Sequence, residues 1–123
     1  MKKLFVVCLM MIAGSAWAEW LPLFTTDSSM VVVHFPSVHK DGDSRKVWTI
    51  TNLKVKNEKG LLSWRVREEY DCKNKRSRIL SFSTHTETMA NGRTVSVSDQ
   101  VEPWSEIPPE TAIDSVMRYV CNQ

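Results

Sequence analysis

The chain has 123 residues, 42% of them hydrophobic, with 16 Lys+Arg against 14 Asp+Glu, which suits one domain with a single core. Its small positive balance sits at the start: without Lys2 and Lys3, basic and acidic residues stand at 14 each. A formally neutral body excludes the long-range pull on which nucleic-acid or anionic-membrane binding depends, so neither partner is expected.

Lys2 and Lys3 open the chain, Leu4 to Ile12 is an unbroken apolar run, and Ala16-Trp17-Ala18 supplies a small-x-small cleavage pattern. This is the grammar of a secretory signal peptide, which places residues 1–18 in a removed leader and residues 19–123 in the exported domain. The apolar run is too short to span a bilayer, and no later segment replaces it. Only Leu4, Phe5, Val6 and Val7 separate Cys8 from the lysines, so Cys8 reads as part of the leader and not as a lipid-attachment site. The expected destination is the periplasm or the cell surface.

Trp20–Thr25 reads as a short first strand. Asp41-Gly42 between Met30–Phe35 and Lys46–Asn52 suits a two-residue hairpin turn, which pairs Val33 with Ile50 and Phe35 with Trp48. In Lys46–Lys56 the apolar positions switch from Trp48 and Ile50 to Leu53 and Val55, which predicts a bulge near Asn52. Asn57 to Gly60 makes the next turn. The clearest strand is Leu62–Cys72: Leu62, Trp64, Val66, Tyr70 and Cys72 share one face, and Ser63, Arg65, Arg67, Glu69 and Asp71 the other. Glu68 is a carboxylate on the packed face. A three- or five-residue loop after Cys72 aligns Leu80 and Phe82 with Trp64 and Val66 and brings Arg78 to Glu68, a pairing expected to relieve a costly buried charge. Asn91-Gly92 between Ser81–Met89 and Arg93–Val97 predicts a second two-residue hairpin, with Thr88 opposite Val95 and Thr86 opposite Val97. Pro108-Pro109 suits the first turn of a helix, and Ile113, Val116, Met117 and Val120 follow at helical spacing.

Cys72 and Cys121 remain outside the leader. An even pair in an oxidising compartment reads as a disulfide, and closing a loop of about 50 residues stabilises the fold by roughly 4 kcal/mol. A zinc site would need two further ligands that no histidine spacing supplies. The fold class is therefore α+β: one antiparallel β-sheet with a C-terminal α-helix packed on it and tied by the disulfide.

The residues that could carry chemistry are few. His39, Asp41 and Asp43 could hold a metal, but Asp-Gly turn chemistry alone accounts for them. His85 lies among Ser83, Thr84 and Thr86 without a Gly-x-Ser-x-Gly elbow. No catalytic residue, metal or cofactor is expected. Lys73, Lys75, Arg76 and Arg78 form a basic loop, the candidate binding patch for acidic segments or sulfated polysaccharide, although a charged hairpin tip also keeps a sheet soluble. Trp20, Trp48, Trp64 and Trp104 are expected chiefly to pack the core.

Val47-Trp48, Glu69-Tyr70-Asp71-Cys72 with the basic stretch after it, Arg78-Ile79-Leu80-Ser81, Gly92, Trp104 with Ile107-Pro108, and Val120-Cys121 together resemble the bacterial surface-adhesin protein E family. The resemblance covers essentially the whole exported domain. It implies a sheet of six antiparallel strands, a helix held by the two cysteines, attachment to host extracellular-matrix proteins, and the capacity to form homodimers. The function expected is that of an exported, non-enzymatic, adhesin-like protein recognising a protein or glycan. The alternative is a periplasmic protein that binds or inhibits an envelope partner.

Overall fold

The computed structural model describes residues 19–123. The signal-peptide reading falls on residues 1–18 and lies outside the described residues. Short β-branched and aromatic runs between Gly, Asn and Asp turns form β1 (Trp20–Thr25), β2 (Ser29–His34), β3 (His39–Asp41), β4 (Ser44–Leu53), β5 (Ser63–Asp71), β6 (Arg76–His85), β7 (Thr94–Ser98) and β8 (Ser105–Glu106). The strands make a single sheet of order β1-β2-β4-β5-β6-β7, with β3 added to β4 and β8 to β6. Every pairing is antiparallel. The main path has the six expected strands; β3 and β8 are short additions to it.

Residues opposite one another in the ladders share a face. One face carries Val33, Thr49, Val66 and Phe82; the other carries Val32, Ile50, Arg65 and Ser83. The helix α1 (Ala112–Cys121) covers the first. Val116, Met117 and Val120 close there on Val31, Val33, Val47 and Tyr70, which form the core. Full burial of each such aliphatic side chain contributes about 1.5–3 kcal/mol. Thr111, not the proline pair, starts the helix: its side chain accepts the Asp114 N–H at 3.2 Å, satisfying one of the first-turn donors. Pro108 and Pro109 lie just before it. At the far end the Arg45 Nε–H donates to the Val120 carbonyl at 3.2 Å, and the Cys72–Cys121 disulfide ties the last turn to the end of β5. The bond closes a sequence separation of 49.

Several registers differ from those expected, each for a local reason. The first hairpin turns at Gly42-Asp43, with Asp41 opposite Ser44. A 3-10 turn at Phe35–Ser37 takes up three residues before β3, so β2 meets β4 with Val32 opposite Ile50 and Val33 opposite Thr49. Phe35 leaves the sheet altogether. No bulge interrupts β4 near Asn52, because the strand ends at Leu53 and Val55 stands 78% exposed. The Asn91-Gly92 hairpin is also longer than two residues. A 3-10 turn at Thr88–Ala90 intervenes, and Val97 lies opposite Ser83.

The connection after β5 has four residues, Cys72 to Lys75, since Asp71 faces Arg76. A one-residue bulge at Leu80 then supplies the missing parity. Phe82 faces Val66 as expected, but on the near side of the bulge Glu68 faces Ile79 and Glu69 faces Arg78. Glu68 and Arg78 therefore occupy opposite faces of the sheet, and the expected pair does not form.

Candidate functional site

The sheet face away from α1 carries most of the exposed chemistry. Trp48 lies opposite Arg67 there, not against the core. The Arg65 guanidinium stacks 4.1 Å from the centroid of its indole ring and Arg67 lies 5.8 Å away. Guanidinium over indole is a favourable cation–π geometry, and it holds both cations against the sheet. Neither arginine has a carboxylate partner among the described residues. Trp20 and His34 extend this surface toward β1, their rings 4.8 Å apart, with Glu19 Oε2 3.1 Å from His34 Nε2. Trp20, His34, Ser37, Trp48 and Arg65 line one shallow groove. Ser37 fixes its floor: its hydroxyl donates to the His34 carbonyl at 2.7 Å and accepts the Trp48 N–H at 3.0 Å.

A second stack sits at the other end of the face. Trp104, on the approach to α1, lies under Arg76 at 4.9 Å and Arg78 at 4.3 Å. These cations are already paired: Arg78 with Glu69 at 2.7 Å, Arg76 with Asp71 at 3.0 Å. Burial raises the Glu69 carboxyl, but the Ser44 hydroxyl, 2.7 Å away, together with Arg78 and Lys46 outweighs it and holds the group below its ordinary range. Asp71 is lowered to about 2, first by the Asn74 side chain and backbone N–H and then by Arg76.

The expected patch thus divides. Arg76 and Arg78 lie on the open face with their charges neutralised, whereas Lys73 and Lys75 stand exposed in the four-residue loop. Arg65 and Arg67, without a carboxylate partner among the described residues, are put on the wet side by the alternation of β5 without being marked as a site. Trp48 hides them. In β4 both alternating sets hold apolar residues, Val47 with Thr49 and Trp48 with Ile50. The larger set reads as the core from sequence, yet Val47 is the one beneath the helix. Of the four tryptophans among the described residues, only Trp64 lies on the helix side, and none is fully buried.

His85 is buried at the β6–β7 junction. Its Nε2 lies 2.7 Å from Ser83 Oγ and its Nδ1 3.3 Å from Thr94 Oγ1. Burial, with Arg65 adding to it, lowers its pKa from the ordinary 6.5. The group orienting the ring is a hydroxyl, which cannot stabilise an imidazolium as a carboxylate does, and the trio joins two strands. His39 and Asp41 lie on the exposed β3 with Asp43 in its turn, and among the described residues no group of three or more acidic, His or Cys side chains is placed to hold a metal ion.

On the helix side a smaller cleft contains Glu68. The carboxyl is 8% exposed and pushed up to about 7, chiefly by burial, with Tyr70 pulling the other way. The Tyr70 hydroxyl is buried beside it without a partner at regular hydrogen-bond geometry, yet the two groups are coupled: burial, and Glu68 by charge and a side-chain contact, raise the phenol, while Tyr70 draws the carboxyl down.

The family model for surface-adhesin protein E matches residues 20–122. No curated protein sequence matches the chain. Among solved structures, crystal form II of Haemophilus influenzae protein E is similar at 13% identity, with 85% of this chain and 88% of that chain covered and a TM-score of 0.66. Protein E from non-typeable Haemophilus influenzae is similar at 14% identity, covering 85% and 76%, with a TM-score of 0.61. At these identities the likeness is one of fold. Among the described residues no helix is long and apolar enough to cross a membrane.

Proposed function

The chain belongs to the surface-adhesin protein E family, and we propose that it is an exported, non-enzymatic protein that binds an anionic protein or glycan on the sheet face opposite the helix. Extracellular-matrix proteins are the first ligands to test, given the family. The observation that carries the reading is the Arg65–Trp48–Arg67 cluster: two guanidiniums over one indole, 4.1 and 5.8 Å from its centroid, with no acid of their own among the described residues. Such cations keep their donors for a partner's carboxylate or sulfate, and aromatic and arginine side chains together are the usual anchors of recognition surfaces. Lys73 and Lys75 add flanking charge from the neighbouring loop, while Arg76 and Arg78 serve mainly to brace Trp104. A neutral overall balance fits short-range recognition better than long-range steering.

The test is binding of the purified domain to immobilised matrix proteins and sulfated glycans, compared with an R65A/R67A double variant. Loss of at least tenfold in affinity, about 1.4 kcal/mol, supports the reading. Unchanged binding refutes the face. Protease treatment of intact cells separates this from the periplasmic alternative, because a surface protein is cleaved before the outer membrane is permeabilised and a periplasmic one only afterwards.

A further inference from the structure

The Glu68 cleft lies on the face opposite the Arg65–Trp48–Arg67 stack, and its chemistry is independent of the binding proposed for that stack. We infer that this cleft is a binding site for a primary ammonium group on a short apolar stem, as at the end of a lysine side chain, with Glu68 and Tyr70 as its recognition groups. The cleft lies between the sheet and the first turns of α1 and has a volume of about 180 Å³. That is room for about six waters at liquid density, which accommodates a butylammonium-sized ligand. Val31, Val66, Ile79 and Val116 make its walls apolar, while Glu68, Tyr70, Thr49 and Thr51 bring oxygens into it.

The choice of a cation follows from what surrounds Glu68. Buried carboxyls are normally paired, because an isolated charge in an apolar setting is costly. Here its polar neighbour is the Tyr70 hydroxyl, and among the described residues no element supplies a cation. From β4, Arg45 shares this face, opposite Tyr70, but its guanidinium donates to the carbonyls of Gly42 at 2.7 Å, Ser44 at 2.9 Å and Val120 at 3.2 Å. From β6 come Ser77 and Ile79, and from α1 Ala112, Ile113 and Val116. Tyr70, fully buried, holds a hydroxyl with no partner in the same space. A phenol short of regular hydrogen-bond geometry beside a buried carboxyl without a cation is the kind of exception that calls for an explanation. An ammonium group has three donors and no acceptor, so it can meet the Glu68 carboxylate, the Tyr70 oxygen and a threonine hydroxyl together. Trp64 lines the same cleft, and an indole is a favourable neighbour for a cation. An anionic ligand would be repelled, and a neutral alkyl chain would leave the Glu68 carboxylate without a counter-charge.

The site must ionise Glu68 to bind. With the carboxyl titrating near pH 7, the competent fraction falls about tenfold between pH 8 and pH 6, and affinity falls with it.

The test is an amide NMR titration of the domain with n-butylammonium chloride, with n-butanol as the neutral control. Saturable shifts at Thr51, Ala112 and Ile113 are expected, weaker at pH 6 by about tenfold. They are lost in Glu68→Gln and reduced in Tyr70→Phe, both of which keep the dispersed spectrum of a folded sheet. Equal shifts with n-butanol, undiminished shifts in Glu68→Gln, or no saturable shift up to about 50 mM amine would each overturn the assignment. A parallel titration with lysine capped at both backbone ends identifies the source: binding like butylammonium indicates a protein side chain, and rejection with butylammonium still bound indicates a small free amine.

Discussion

Replacing Glu68 with Gln is expected to stabilise the domain at alkaline pH and to leave it almost unchanged in mild acid. Burial lifts the Glu68 carboxyl from an ordinary 4.5 to about 7, so the folded state holds a proton that the unfolded chain releases. A group of this kind contributes stability below its unfolded pKa, and the contribution is lost as pH rises through the window from 4.5 to about 7. At about 1.4 kcal/mol per pH unit, the whole window amounts to about 3 kcal/mol. Gln is isosteric with the protonated acid and cannot ionise, so the variant should match the parent near pH 4 and exceed it by up to about 3 kcal/mol at pH 8. The other shifted groups act differently. Glu69, Asp71 and Asp114 are held below their ordinary values, so their contributions are complete above about pH 5 and lost only as pH falls. His85, also lowered, makes stability rise with pH through its ordinary 6.5, opposing Glu68 in the same window. Subtracting the variant's curve from the parent's removes both effects. Urea unfolding followed by tryptophan fluorescence at a series of pH values from 4 to 8 measures the difference. A difference that does not grow with pH, or a variant less stable than the parent at pH 8, would refute the assignment of Glu68 as a buried, uncompensated carboxyl.

Reduction of the disulfide, or a C72S/C121S double variant, should lower stability by about 4 kcal/mol through the loop it closes, read as an earlier thermal midpoint. Arg78→Ala strips a partner from the buried Glu69 and should cost about 2 kcal/mol in chemical denaturation, whereas Arg65→Ala, whose cation has no acid partner, should cost less than about 1 kcal/mol. Thr111→Ala removes the helix N-cap; a loss of about 1 kcal/mol, with earlier amide exchange confined to the first turn of α1, is expected. Truncation of Val120, fully buried on the inner face of α1, should be more severe, with Val120→Ala losing about 2 kcal/mol in the same denaturation assay.

What the sequence determined by itself is the class of the fold. Period-two alternation through Trp64, Val66 and Tyr70 set one face of β5 against the helix, the apolar spacing from Ile113 to Val120 set the helix, and two cysteines set the staple. These are signals within a segment, or counts, and need no knowledge of neighbours. The tertiary structure alone decided which residues meet across strands. Side-chain parity has period two, so a single inserted residue moves everything beyond it to the other face. The bulge at Leu80 sends Arg78 to Glu69 and leaves Glu68 unpaired, and the 3-10 turn at Phe35–Ser37 separates Phe35 from Trp48. The bulge has no strong residue signature of its own, and Pro36 marks the end of β2 without fixing how many residues the turn takes up. For the same reason the site was only partly legible: Lys73, Lys75, Arg76 and Arg78 stand out as a basic run, but Arg65, Arg67 and Trp48 come from two strands. Their meeting exists only once β4 and β5 are paired in register.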